Sequence, residues 1–157
     1  MTLTRQRLIF FAALGSALLL GGAFVFQGLG YAPCKMCIWQ RYPHAAAITL
    51  GALALFVPLP ILIGLGALAA LTTAAIGGYH MGVEQGWWEG PTSCSGGAIG
   101  TLDPDALFDQ IMAAPLIRCD EIAWQLAGLS MAGWNMVISL VLAAIWIAAL
   151  KVRPTSA

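Results

Sequence analysis

Two residues separate Cys34 from Cys37, and Arg41 follows Cys37 by four positions. A thiol pair at this spacing suits reversible oxidation, metal ligation or structural stapling. A staple across so short a loop removes little unfolded-state entropy, which favours the first two chemistries. Cys94 and Cys119 lie far downstream, 25 positions apart. Structural zinc sites usually carry two close-spaced cysteine pairs, and this chain has one. Thiolates together with His44 or His80 remain the metal alternative, but the expectation is redox chemistry with no metal. Four cysteines allow three pairings; the spacing favours Cys34–Cys37 and Cys94–Cys119 as the resting pairs.

Pro33 precedes the first cysteine, and an apolar helical stretch follows it. Proline pre-sets a helix start. Free N–H groups and the helix dipole there stabilise a thiolate. Positions 34, 37, 41 and 44 are spaced by three and four and so share a helix face. Arg41 could add positive charge near Cys37 and donate hydrogen bonds to an oxygen-bearing ligand. Its bland alternative is an arginine snorkelling to the membrane interface. His44 reads as an interface residue before a proton donor. His80 sits at the end of another apolar stretch, where proton handling or ligand contact competes with a purely structural role. Asn135 reads as an interhelical hydrogen-bond partner. Trp39, Trp87, Trp88, Trp124 and Trp134 read mainly as an aromatic belt, with one or more as possible walls of a pocket for a flat apolar ligand.

The elements that must hold these residues are apolar. Of 157 residues, 60% are hydrophobic and 9% charged, where a soluble domain carries roughly a quarter charged. The formal net charge is zero, so a nucleic-acid partner, which needs a basic surface, is not expected. Leu8 to Phe26 is an uncharged run of 19 residues, close to the ~20 that cross a bilayer core. A signal peptide is the rival for this run, but its apolar core is shorter and no further spans need follow it. Spans are expected at about 8–26, 36–56, 61–80 and 129–150, with Pro58 and Pro60 breaking the chain between the second and third. Outer loops are expected at about 27–35 and 81–128. The second holds all seven acids and a short interfacial helix from Asp103 to Ala113, capped by Asp103 with Pro104 at its first position. The fold class is therefore an all-α membrane protein, a single domain of four transmembrane helices with one long outer loop. Arg5, Arg7, Lys151 and Arg153 mark the terminal side as cytoplasmic, which puts all four cysteines at or beyond the outer surface, an oxidising compartment.

These residues carry a resemblance. Pro33-Cys34-x-x-Cys37-x-x-x-Arg41, Tyr79-His80, Cys94, Cys119, Trp124 and Ser130-Met131-x-Gly133-Trp134-Asn135 together resemble the DsbB family of membrane disulfide-bond formation proteins. Ala132 departs from it, standing where that family's motif has proline. The resemblance implies a monomeric inner-membrane oxidoreductase surrounded by lipid. It would reoxidise a DsbA-like periplasmic thioredoxin-fold protein and pass the electrons to a membrane quinone, ubiquinone or menaquinone. It implies Cys34, Cys37, Cys94 and Cys119 as catalytic residues, with Cys94 as the site of the mixed disulfide with the partner. A transient Cys34–Cys119 contact would follow. Cys37, Arg41 and His80 would contact the quinone. The nearest alternative is a DsbI-like oxidase serving one dedicated client. Outside enzymes, it is a membrane scaffold or transporter whose outer loop is stapled by disulfides.

Overall fold

The computed structural model describes residues 4–92, 94, 108, 112 and 117–152. Four helices carry the architecture: α1 (Arg5–Gly28), α2 (Lys35–Phe56), α3 (Pro60–Glu84) and α4 (Met131–Lys151). Two-residue strands β1 (Gln125–Leu126) and β2 (Leu129–Ser130) pair antiparallel just before α4. The hairpin was not anticipated. Its turn is Ala127-Gly128, both with positive φ, the geometry that matches strand twist in two-residue hairpins. The interfacial helix expected over 103–113 lies outside the described residues apart from Phe108 and Met112.

Local chemistry sets the helix ends. Thr4 caps α1 by accepting the Arg7 N–H, Cys34 caps α2 by accepting the Cys37 N–H, and Ser130 caps α4 by accepting the Gly133 N–H. Pro60 opens α3, where its missing N–H costs nothing. The two helix ends on the cysteine side share one device. After α1, Gly30 (φ 101°) donates to the Gln27 carbonyl and Tyr31 to that of Phe26, while the Tyr31 and Phe26 rings meet edge to face. After α3, Gly86 (φ 69°) donates to Val83 and Trp87 to Gly82. Both are Schellman ends, which need a residue tolerant of the left-handed region. The second explains why α3 runs a turn past the expected position 80 and draws Glu84 into the helix.

Each helix packs on its neighbours in sequence, and α4 closes the ring against α1. The end distant from the cysteines is built on Trp146, fully buried among Ile9, Ala12, Ala54, Ile63 and Ala67. Gly51 and Gly66 admit its ring; a Cβ on Gly66 would lie 2.8 Å from three ring atoms. Small residues at helix contacts are how apolar helices approach in lipid. Arg5 ties the termini together by donating from Nε to the carbonyls of Ala149 and Val152 at 3.2 and 3.0 Å. Large apolar side chains such as Phe10, Phe11, Phe24, Leu53 and Phe56 are exposed. The helices α1, α3 and α4 are long and apolar enough to cross a membrane. The first turns of α2 carry Gln40, Arg41, Pro43 and His44 instead.

Candidate functional site

The cysteines converge at one end of the bundle. Cys94 and Cys119 are joined as a disulfide, and Cys34 and Cys37 are free thiols with sulfurs 2.9 Å apart. The Cys119 N–H donates to the Cys94 carbonyl at 2.8 Å, so a backbone bond accompanies the disulfide. The sulfurs of Cys34, Cys94 and Cys119 all lie within 4.8 Å of one another. Met36 and Val83 pack around them, and Cys34, Cys94 and Cys119 are buried. A thiol–disulfide exchange needs only this: a thiolate within reach of a disulfide sulfur. The donor atoms of Cys34, Cys37 and His80 also lie within 4.8 Å of one another, so the metal alternative keeps a three-ligand set there. His44 is not part of it.

Behind the thiols a cavity of about 380 Å³ opens between the helices and the segment after Cys119, with His80 and Glu84 of α3 in its wall. Cys34, Cys37, Arg41 and His44 all line it, which is the shared face expected from their spacing. Its remaining wall is mostly apolar and includes Leu18, Phe26, Trp124 and Trp134. Two of the five belt tryptophans therefore face a cavity, while Trp87 and Trp88 are exposed. Arg41 is not a free snorkel. It donates from Nη1 to Gln27 Oε1 at 2.7 Å and from Nη2 to the Ala23 carbonyl at 3.4 Å, and its guanidinium lies over the Phe24 ring. Its Nε is buried with no partner among the described residues, and so is His44 Nδ1.

A buried polar layer links the helices beneath the thiols. His80 is 2% exposed. Its Nε2 lies 3.5 Å from Cys34 Sγ and 3.8 Å from Glu84 Oε1, and its Nδ1 lies 3.0 Å from Gln40 Nε2. Glu84 in turn accepts from the Ser130 hydroxyl. Asn135 Nδ2 donates to Gln40 Oε1 (2.8 Å) and Thr73 Oγ1 (3.1 Å), and Asn135 Oδ1 accepts from His44 Nε2 (2.8 Å). His44 is therefore a buried, hydrogen-bonded group and not the interface residue its position suggested. Asn135 does what was expected of it. Gln40, Thr73 and Glu84 were missed. The available signal was the one that flagged Asn135: a polar side chain inside an apolar segment, which must find a partner.

The family model for disulfide bond formation protein DsbB matches residues 5–149. A disulfide bond formation protein B from Pasteurella multocida is 35% identical over 163 aligned positions, covering 96% of this chain and 90% of that protein. A disulfide bond formation protein B 2 from Pseudomonas aeruginosa is 30% identical over 134 positions, covering 80% of this chain and 79% of that protein. A Haemophilus ducreyi disulfide bond formation protein B is 27% identical over 143 positions, covering 87% and 80%. No solved structure matches at the same level of significance.

Proposed function

The chain belongs to the DsbB family of membrane disulfide bond formation proteins, and from that premise we propose that it oxidises a DsbA-like thioredoxin-fold dithiol protein and delivers the electrons to a membrane quinone. Family membership makes it a disulfide oxidoreductase, and its three span-competent helices agree with an inner-membrane protein. In our reading α2 also spans, making one four-helix domain with both termini cytoplasmic and the cysteines periplasmic. The positive-inside rule favours this through the basic terminal segments.

The observation that carries the reading is the convergence of sulfurs, with Cys34 within 4.8 Å of both members of the Cys94–Cys119 disulfide. The partner's thiolate attacks Cys94, forming a mixed disulfide and releasing Cys119. Cys119 attacks Cys34 of an oxidised Cys34–Cys37 pair, and Cys37 leaves as the thiolate. The partner's second cysteine then attacks its own mixed-disulfide sulfur and leaves oxidised. Cys94 resolves the Cys34–Cys119 bond, which restores the loop disulfide and leaves Cys34 and Cys37 reduced.

The cavity residues fit a quinone. Its wall is mostly apolar, as a flat ring requires, and the buried Arg41 Nε is a donor with no partner among the described residues. A bound quinone would supply a two-electron acceptor beside Cys37. Arg41 would hold a carbonyl oxygen, fixed in place by Gln27 and Phe24. His80 faces the Cys34 side and orients its imidazole on Gln40.

The test is quinone-dependent oxidation of a reduced thioredoxin-fold protein by the purified chain, with a short-chain benzoquinone followed by absorbance. Wild type should turn over. Cys37→Ser should stop quinone reduction and still form the mixed disulfide through Cys94. Turnover by Cys37→Ser at the wild-type rate would sink the assignment.

A further inference from the structure

The polar layer has a direction, and it leads to a residue that the proposed reaction has not used. His44 Nε2 lies 2.8 Å from Asn135 Oδ1, a carbonyl oxygen that can only accept. Asn135 keeps this orientation because its other end donates to Gln40 Oε1 and Thr73 Oγ1. The amide cannot turn over without setting its N–H₂ against His44 and its oxygen against Gln40 Oε1. The proton of neutral His44 is therefore fixed on Nε2. Nδ1 is left bare, buried, without a partner among the described residues, on a side chain that is 3% exposed and lines the cavity. When His44 takes up a second proton, that proton has one place to go, Nδ1.

We propose that His44 exchanges a proton through Nδ1 with an oxygen of the quinone in this cavity, and that Asn135 is the residue that positions it. The inference rests on the quinone reading above and adds a proton donor to it. Forming the Cys34–Cys37 disulfide from a thiol and a thiolate releases two electrons and one proton. Two-electron reduction of a quinone takes two protons, one for each oxygen. The Cys34 thiol proton supplies one and protonated His44 supplies the other, leaving the imidazole neutral with its remaining proton still on Nε2. Water admitted to the cavity once the quinol has left returns the next proton to Nδ1. Atoms and charge balance: thiol, thiolate, imidazolium and quinone become disulfide, imidazole and quinol.

Asn135 holds the same Nε2–H in both protonation states. The ring therefore does not need to turn between accepting and donating. A histidine fixed by a second group in this way is a recognised means of choosing which nitrogen does the chemistry. Arg41 and His44 stand three residues apart on one face of α2, so the cavity has a permanent positive charge near the thiols and a proton-exchanging group deeper in.

Two measurements test this. In the quinone-free protein, nitrogen NMR of labelled histidine should find His44 protonated on Nε2 alone. Asn135→Leu should mix the two tautomers, and Asn135→Asp, which keeps an acceptor for Nε2–H, should restore the single one. In single-turnover reduction of a short-chain benzoquinone, His44→Gln should lower the rate constant by about 10²-fold or more, the usual contribution of a positioned acid. Its apparent quinone affinity should change far less. Thiol trapping without quinone should show the His44→Gln protein still exchanging disulfides between its two cysteine pairs, which separates loss of the proton donor from loss of the fold. A His44→Gln protein that reduces quinone at the wild-type rate overturns the role of His44. An unfixed tautomer in wild type overturns the role of Asn135. Wild type that reduces no quinone at all, with the tautomer fixed, would remove the function proposed above and this role with it.

Discussion

Replacing Asn135 with leucine should cost the bundle about as much as any single buried substitution in it. The side chain makes three close bonds to three different residues on two other helices: Gln40 and His44 on α2 and Thr73 on α3. Two further contacts are long, both at 3.4 Å: Nδ2 to the Thr73 carbonyl, and Ser139 Oγ to Oδ1 within its own helix. Interhelical bonds in lipid average about 0.6 kcal/mol each, so three give a floor of about 2 kcal/mol. Leucine does more than delete them. It leaves Gln40 Oε1 and His44 Nε2 buried without partners, at about 1–3 kcal/mol each in a dry site. Thr73 is spared that penalty, because its hydroxyl still donates to the Gln40 carbonyl at 3.2 Å. The expected loss is thus between about 2 and 6 kcal/mol. Reversible unfolding in bicelles or mild detergent measures it, and a His44→Leu/Asn135→Leu double-mutant cycle should return a coupling of about 0.5–3 kcal/mol. A loss below about 1 kcal/mol with no coupling would mean that water or lipid already satisfies these groups, and the sealed polar layer would be refuted.

Arg41→Met should raise the quinone concentration for half-maximal rate by about tenfold or more, since a hydrogen bond from a charged donor is worth about 1.5–3 kcal/mol; an unchanged concentration dependence would return Arg41 to a purely anchoring role. Gly66→Ala should destabilise by about 1–3 kcal/mol because Trp146 has no room to retreat, whereas Gly64→Ala, with open space at its Cβ, should be neutral or better in the same unfolding assay. Ala127→Asn should stabilise the hairpin by about 0.4–1 kcal/mol by suiting the left-handed turn; a loss would show that the turn differs in solution. Asp120 is held below the usual carboxylate range by its hydrogen bond and ion pair with Arg118. The pair's small contribution is therefore present above the ordinary carboxylate range and disappears as pH falls through the lowered midpoint, and Arg118→Ala should return the Asp120 midpoint, read by NMR, to its ordinary value.

The thiol end of the molecule was legible in the sequence because its logic is local. A proline, two cysteines and an arginine at helical spacing determine a helix start and a shared face with no reference to the rest of the chain. The lengths of α1, α3 and α4 were legible for the same reason, as apolar runs long enough to cross a bilayer. The polar layer was not, because its members are dispersed. Gln40 and Asn135 are 95 positions apart and His44 and Asn135 91 apart, and no periodicity connects them. His44 looked like an interface residue because it stands among polar neighbours, and Glu84 looked like loop because it is charged. In both cases tertiary partners decide: Asn135 for one, Ser130 and the Schellman end at Gly86 for the other. The approach of Cys34 to the loop disulfide likewise needs the packing of α2 on α3.

Cys34 caps α2 through its own sulfur, accepting the Cys37 N–H at 3.2 Å. A reduced sulfur accepts such a bond more strongly than a disulfide sulfur does, so the first turn of the helix takes part in the redox couple. Each kcal/mol by which that turn holds the reduced sulfur better than the oxidised one raises the pair's potential by about 20 mV, from the two-electron conversion of about 30 mV per 1.4 kcal/mol. The helix start is thereby a voltage setting. A substitution that tightens or frays the Lys35-Met36 turn would retune how strong an oxidant the protein is, with every cysteine still in place.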